Sequence, residues 1–227
     1  MRTFTDNIVI GWPILQDGES ETGDAFLRFS AFQVEMIRHG FFTRGALTIG
    51  DIYVDDIAVF GEGLVEAYRG ESTLAQHPRI ILCAPLVSLV REHLRYYEPG
   101  DAPQFRLLLE DLDGQWFIDY LDDEVFPAVD VVQEEFLSVH EEQIELNLRR
   151  FVADPRVWSK YCWIADYHNA FCAMHADQLT PGLSIDVSLF RSGPGESSPL
   201  REFVLYLASR QVNGYPLGSS CMRCMRA

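Results

Sequence analysis

The chain is short of basic residues and has no long apolar run. Across 227 residues, 18 Lys and Arg face 34 Asp and Glu, for a formal net charge of −16. Broad binding to nucleic acid or to an anionic membrane needs a basic face, so neither is an expected partner. A nucleotide ligand stays compatible, because a metal ion and a few local Arg residues hold a triphosphate on an acidic protein. No stretch reaches the roughly 18 apolar residues of a membrane span, and the start lacks the basic-then-apolar pattern of a secretory leader. Both absences point to the cytoplasm. Cysteine is sparse and odd in number, five in all. Cys83 and Cys172 lie in apolar strings and are expected as buried thiols. Cys221 and Cys224 form a CxxC, but a zinc site needs about four ligands and no second pair accompanies them, so a frayed tail is favoured over a metal site.

What is present suits a folded α+β protein. With 48% apolar and 12% aromatic residues, the chain can build a core as one large domain or as a domain with an extension. Residues 3–10 (TFTDNIVI) predict a hairpin turning at Asp6 and Asn7. A polar loop follows over 11–23. Residues 24–39 place Phe26, Leu27, Phe29, Phe32, Val34 and Ile37 near a helical period, with Gly40 as the stop. Residues 41–49 and 52–60 predict two strands joined tightly at Gly50 and Asp51, then a helix over 63–76 and a strand over 78–84. This order, hairpin, helix, hairpin, helix, strand, is a ferredoxin-like βαββαβ pattern that starts in its middle.

The remainder differs in character. A helix is predicted over 86–97, a loop over 99–103, and a turn at Asp111, Asp113 and Gly114 before the strand-like WFIDYL. A long Glu-rich amphipathic helix over 129–152 precedes an aromatic-rich helix over 156–174, whose Trp158, Tyr161, Trp163, Tyr167 and Phe171 read as a core stripe. SIDVSLF reads as strand-like, a Gly/Pro/Ser loop follows, and a short helix is expected over 199–210. The division is therefore 1–85 as one domain and 86–227 as a mainly helical extension. Asp166, His168 and His175 do not share one helix face, which favours packing or surface roles over a metal site.

Two residues carry candidate chemistry. A carboxylate at the tip of a hairpin, as expected for Asp6, suits a hard divalent cation that completes its shell with phosphate and water; Asp-Asn is also a common turn pair. Arg69 falls on a predicted helix, where it suits either a surface ion pair with a neighbouring Glu or a triphosphate whose developing charge it stabilises.

The background shared by these two residues is more specific. FTDNIVIG, RGALTIG, a second strand ending VFG, then GLVEAYRGE and HPRI together resemble class III nucleotide cyclases. The nearest likeness is to the bacterial pyrimidine cyclases of the Pycsar antiphage system, whose KYxWxAxYHN pattern is matched by Lys160 to Asn169. The resemblance covers about residues 2–84 and 110–172. It implies that Asp6 is the second of two aspartates binding Mn²⁺ or Mg²⁺, that Arg2 falls where a Lys helps read the base, and that Arg69 stabilises the transition state. Ala58 stands where adenylate cyclases carry a base-reading Asp, which favours a pyrimidine nucleoside triphosphate, and Val65 replaces a ribose-orienting Asn. The reaction implied is conversion of UTP to cyclic UMP and pyrophosphate, with CTP to cyclic CMP as the nearest variant. It further implies a homodimer, with Asp6 of one protomer facing Arg69 of the other, and a cyclic-nucleotide-responsive effector downstream. The family's first metal-binding Asp lies on a strand before the hairpin, and no residue of 1–227 matches it. The expectation is thus a partial cyclase domain, either clipped or a remnant, with an open sheet edge. A catalytically inactive cyclase-fold domain for nucleotide binding or dimerisation, and an α/β interaction module, are the competing expectations.

Overall fold

Three short, mostly apolar triplets make the centre of the sheet. Ile80–Leu82 (β6), Leu108–Glu110 (β7) and Trp116–Ile118 (β8) are almost wholly buried. Successive side chains in a strand point to opposite faces. Ile81, Leu109 and Phe117 accordingly enter one apolar cluster, while Ile80, Leu82, Leu108, Trp116 and Ile118 enter a second on the other face. A strand covered on both sides must be apolar at every position rather than at alternate ones, which is why these runs read IIL and WFI.

The computed structural model describes residues 2–4, 7–55, 57–98, 101–127, 131–190 and 206–207. The chain begins with an antiparallel hairpin of β1 (Arg2–Phe4) and β2 (Asn7–Val9), and helix α1 spans Glu19–Arg38. Strand β3 (Gly45–Leu47) is followed by the hairpin of β4 (Tyr53–Val54) and β5 (Val59–Phe60), then helix α2 (Glu62–Arg69) and β6. Helix α3 (Ala84–His93), the single turn α4 (Gln104–Leu107), β7, β8 and α5 (Tyr120–Val125) lead into α6 (Glu135–Arg150) and α7 (Pro155–Met174). A short strand β9 (Tyr206–Leu207) closes the order. The main sheet is mixed, with strands in the order β3-β6-β8-β7-β9; β3 and β6 are parallel and the other pairs antiparallel. Hairpins β1-β2 and β4-β5 form separate two-stranded sheets. The fold is α+β.

The longer helices present apolar stripes to this sheet. On α1 the buried positions include Ala25, Phe26, Val34 and Ile37, and Phe26 packs with α3 through Leu86 and Val90. Helices α6 and α7 cover the opposite face with Phe136, Leu137, Ile144, Trp163, Tyr167 and Phe171, so three members of the aromatic stripe of 156–174 are core, while Trp158 and Tyr161 pack against it partly buried. Asp154 caps α7 by accepting from the N–H groups of Arg156 and Val157, both at 3.1 Å, with Pro155 in the first turn. Among the described residues no helix is long and apolar enough to cross a membrane. The sheet and both clusters cross residue 85, since β6 pairs with β8 and Phe26 packs with Leu108 and Trp116.

Several expected elements differ. Residues 41–49 and 52–60 do not pair with each other: β3 pairs with β6, and 52–60 folds back on itself. The cause is Asp55, whose Oδ1 accepts from the N–H groups of Ile57 and Ala58 at 2.7 Å each, while its own N–H donates to the Ala58 carbonyl at 3.0 Å. That Asx-type turn outcompetes the Gly50 and Asp51 corner. The helix expected over 63–76 ends as α-helix at Arg69 and continues as a π turn over Gly70–Leu74. The helix expected over 24–39 starts five residues earlier, at Glu19. SIDVSLF is a 3-10 turn at Val187–Phe190 rather than a strand, nucleated by Asp186, which accepts from both the N–H and the hydroxyl of Ser188. Within the helix expected over 199–210, Tyr206 and Leu207 are strand, and its other residues lie outside the described ones.

Candidate functional site

Two glycines seat helix α2, Gly61 against residues 51–52 and Gly70 against the sheet. Gly61 has φ 141°, and a Cβ there would run into the Asp51 carbonyl and the Ile52 Cα, so the chain turns from β5 into α2 only with glycine. Gly70 lies flat on the sheet, where a Cβ would sit 2.6 Å from the Cys83 Sγ and 2.8 Å from the Ala46 Cβ. These contacts seat the C-terminal end of α2 over β3 and β6. The π turn that follows takes up the freed carbonyls: Ala75 N–H donates to Gly70 at 2.9 Å, and the Thr73 hydroxyl donates to Arg69 at 2.6 Å.

Arg69 occupies the last turn of α2 with its side chain 68% exposed, and it meets Glu66 at 3.8 Å. Both of its expected roles, surface ion pair and outward-facing cation, are thus compatible with its position. Ala58 is half-buried and lies in the turn of the β4-β5 hairpin. Arg2 is in β1, paired with Val9. Asp6, Cys221 and Cys224 lie outside the described residues. Among the described residues no hydrogen bond or ion pair joins Arg69 to Ala58.

A cavity of about 520 Å³ opens beside β3. Its walls are residues 9–14, the α1 side chains Thr22, Ala25 and Phe26, residues 46–52, the α2 residues Gly63, Leu64 and Ala67, and Leu86 of α3, with Glu21 and Asp51 as its carboxylates. Neither Arg69 nor Ala58 lines it.

The strongest polar cluster lies instead inside the core. Arg79, 1% exposed, makes ion pairs with Asp111 and Asp113 and lies over the rings of Phe117 and Trp163. Trp163 Nε1 donates to Asp111 Oδ2 at 2.9 Å, and His77 stacks on the Trp163 ring at 5.2 Å. Burial, reinforced by the Arg79 charge, pushes the His77 imidazole below its ordinary value. The turn expected at Asp111, Asp113 and Gly114 is present, with the Gly114 N–H donating to the Asp111 carbonyl at 2.9 Å.

A second network joins α5, α6 and α7. Asp119 caps α5 through the N–H groups of Leu121 and Asp122, and its Oδ1 accepts from the Tyr167 hydroxyl at 2.6 Å. Burial raises its pKa to about 7 despite those three donors. Beside it, Tyr120 bonds His140, His140 bonds His168, and His168 bonds the Leu183 carbonyl. Asn169 holds Ile185 with both its amide groups, at 2.9 and 2.8 Å. His168 is therefore packed in the core, and His175 packs against Phe126 and Phe171. Cys83 and Cys172 are buried as expected, and burial raises each thiol to about 11, which leaves both as poor nucleophiles.

Sequence reasoning passed over Arg79 and Asp119. The available signal was an Arg immediately before the apolar run IILC, a position where a cation must find a partner. Comparison with known proteins finds no matching family model, no matching curated protein and no matching solved structure.

Proposed function

We propose that the chain is a nucleotide cyclase of the class III kind, acting in the cytoplasm as a homodimer and converting UTP to cyclic UMP and pyrophosphate. The observation that carries the reading is Arg69, an exposed cation on the last turn of a helix whose C-terminal end rests on the sheet at Gly70. The motifs fall on the β1-β2 hairpin (FTDNIVIG), β3 (RGALTIG), β5 (VFG), α2 (GLVEAYR) and the approach to β6 (PRI), with β3 and β5 in different sheets. Exposed apolar side chains on the β4-β5 hairpin and α2, among them Ile57, Phe60, Val65 and Tyr68, support pairing with a second protomer.

In the reaction the ribose 3′-hydroxyl releases its proton to solvent as its oxygen attacks the α-phosphorus, the bond from that phosphorus to the oxygen bridging to the β-phosphate breaks, and pyrophosphate leaves. The Arg69 guanidinium stabilises charge growing on the phosphoryl oxygens. A divalent cation belongs to this chemistry in the family that the motifs resemble. Among the described residues no group of three or more His, Cys, Asp or Glu is placed to hold one. Asp6 alone does not make a site, so the part assigned to the described residues is that of Arg69.

The test is incubation of the purified protein with each of the four nucleoside triphosphates and Mn²⁺, followed by separation of the products. Cyclic UMP is expected, with cyclic CMP as the nearest variant. A folded protein that yields no cyclic product from any of the four overturns the reading.

A further inference from the structure

The sequence carries 17 Arg but one Lys, and that residue is Lys160 on α7. Across residues 149–160 four cations, Arg149, Arg150, Arg156 and Lys160, stand against Asp154 alone, in a chain whose net charge is −16. Arg149 and Arg150 end α6, where the helix dipole favours positive charge. Arg156 runs against that rule, because it sits in the first turn of α7, where the dipole disfavours a cation. Lys160 lies four residues on, one turn above Arg156 and facing the same way.

The fold adds a third cation to this turn. Phe42 packs its ring on Tyr161 at 5.7 Å, which brings the approach to β3 beside α7, and Arg44 follows two residues later. Trp163, three residues beyond Lys160, carries the His77 ring at 5.2 Å. Burial, then the Arg44 and Arg156 charges, hold the Lys160 ammonium below its ordinary value, against Asp154 and Glu71. Both carboxylates are already engaged: Asp154 accepts from the N–H groups of Arg156 and Val157, and Glu71 pairs with Arg44. The Arg79 charge near His77 is likewise met, by Asp111 and Asp113. Among the described residues the side chains of Arg156 and Lys160 make no hydrogen bond or ion pair.

Three cations held near one another, two of them without a direct partner, repel, and a bound anion relieves that repulsion. A ligand gains most by facing more than one of them, so several charged oxygens on a compact frame suit the site better than a single carboxylate. An Arg fork meets phosphate oxygens in pairs, and a Lys meets them as a point charge. The acidic remainder of the chain repels a long polyanion, which leaves a short one.

We propose that Arg44, Arg156 and Lys160 form a binding site for a chain of two or three phosphoryl groups, free or carried by a nucleotide. The inference does not rest on the cyclase reading: its probe is inorganic tripolyphosphate and its readout is Lys160 itself.

A single lysine makes the test direct. Reductive methylation with ¹³C-formaldehyde labels the Lys160 amine and keeps its charge, and Lys160→Arg identifies its NMR signal by loss. Titrating the full chain with tripolyphosphate at low salt is expected to move that signal saturably and to raise the pKa of the amine, since a bound anion favours the charged form. Acetate at the same concentration is expected to leave the signal in place. Calorimetry on unlabelled protein is expected to show binding weakened at least about tenfold by Lys160→Gln and by Arg156→Gln. Arg28→Gln, which removes an exposed cation from α1, is expected to leave affinity within about twofold. UTP binding as tightly as tripolyphosphate assigns the affinity to the phosphate chain alone, and tighter binding adds the nucleoside to the site. The proposal is overturned if the signal does not move up to about 10 mM tripolyphosphate, if Arg156→Gln binds like the wild type, or if Arg28→Gln loses as much affinity as Arg156→Gln.

Discussion

His140 and His168 meet in the core through their Nδ1 atoms, 2.9 Å apart, and both side chains are fully buried. One proton arrangement satisfies the whole chain of contacts. His168 Nε2 faces the Leu183 carbonyl at 2.7 Å and must donate, so its Nδ1 accepts. His140 Nδ1 then carries the proton, and His140 Nε2 accepts from the Tyr120 hydroxyl at 2.9 Å. Both imidazoles are neutral; a proton added to His168 puts two N–H groups face to face, and one added to His140 falls on Nε2 and turns the Tyr120 hydroxyl from donor to acceptor.

That arrangement predicts acid sensitivity. Burial lowers both imidazoles, His140 well below its ordinary value. The unfolded chain takes up protons below about pH 6.5 while the native chain does not, so this contribution is complete above that pH and is lost as pH falls through it. Denaturant midpoints measured from pH 7.5 to 5 are expected to fall less steeply for the double variant His140→Gln, His168→Gln than for the wild type. Equal slopes would remove the pair as the cause.

Asp119 acts in the opposite sense. Its folded pKa, raised to about 7, lies above the unfolded value, so stability is lost as pH rises from about 4 toward 7. Asp119→Asn keeps a capping oxygen for Leu121 and Asp122 but does not titrate. Its stability relative to wild type is expected to improve with rising pH, by at most about 1.4 kcal/mol per pH unit. A relative stability independent of pH across that window contradicts the burial argument.

Arg79 is held by Asp111, Asp113 and two aromatic rings inside the core. Arg79→Met leaves the Asp111 carboxylate buried with only the Trp163 N–H among its present side-chain partners. A loss of about 3–5 kcal/mol in unfolding free energy is expected. A change under about 1 kcal/mol, read by urea titration, would show that the Asp111 charge has another escape.

Arg69→Ala separates function from folding. The side chain is largely exposed, so its removal is expected to shift stability by no more than about 0.5 kcal/mol. Under the proposed reaction kcat is expected to fall by about 10²–10³, with little change in KM. Full activity in the variant assigns Arg69 to the surface pair with Glu66 alone.

Much of this architecture follows from short stretches of chain. The triplets IIL and WFI, the Asp154 and Pro155 start of α7, the Asp111 to Gly114 turn and the stripe on α1 each depend on neighbours within a few residues. Their hydrogen bonds and apolar periods are written locally, and the amino-acid order alone determines them. The side chains of Asp55 and Asp186 act just as locally, but the apolar residues around them read as strand.

Tertiary structure decided what pairs with what. Whether β3 bonds to residues 52–60 or to β6 depends on whether Asp55 closes its own turn and on where Gly70 lets α2 rest. The ion pair of Arg79 with Asp111 spans 32 positions, and the contact of His140 with His168 spans 28. A buried charge or imidazole takes the partner that the packed core brings to it, since leaving it unpaired costs several kcal/mol. No local pattern encodes that choice; only the assembled sheet, with α6 and α7 laid across it, brings these groups within reach.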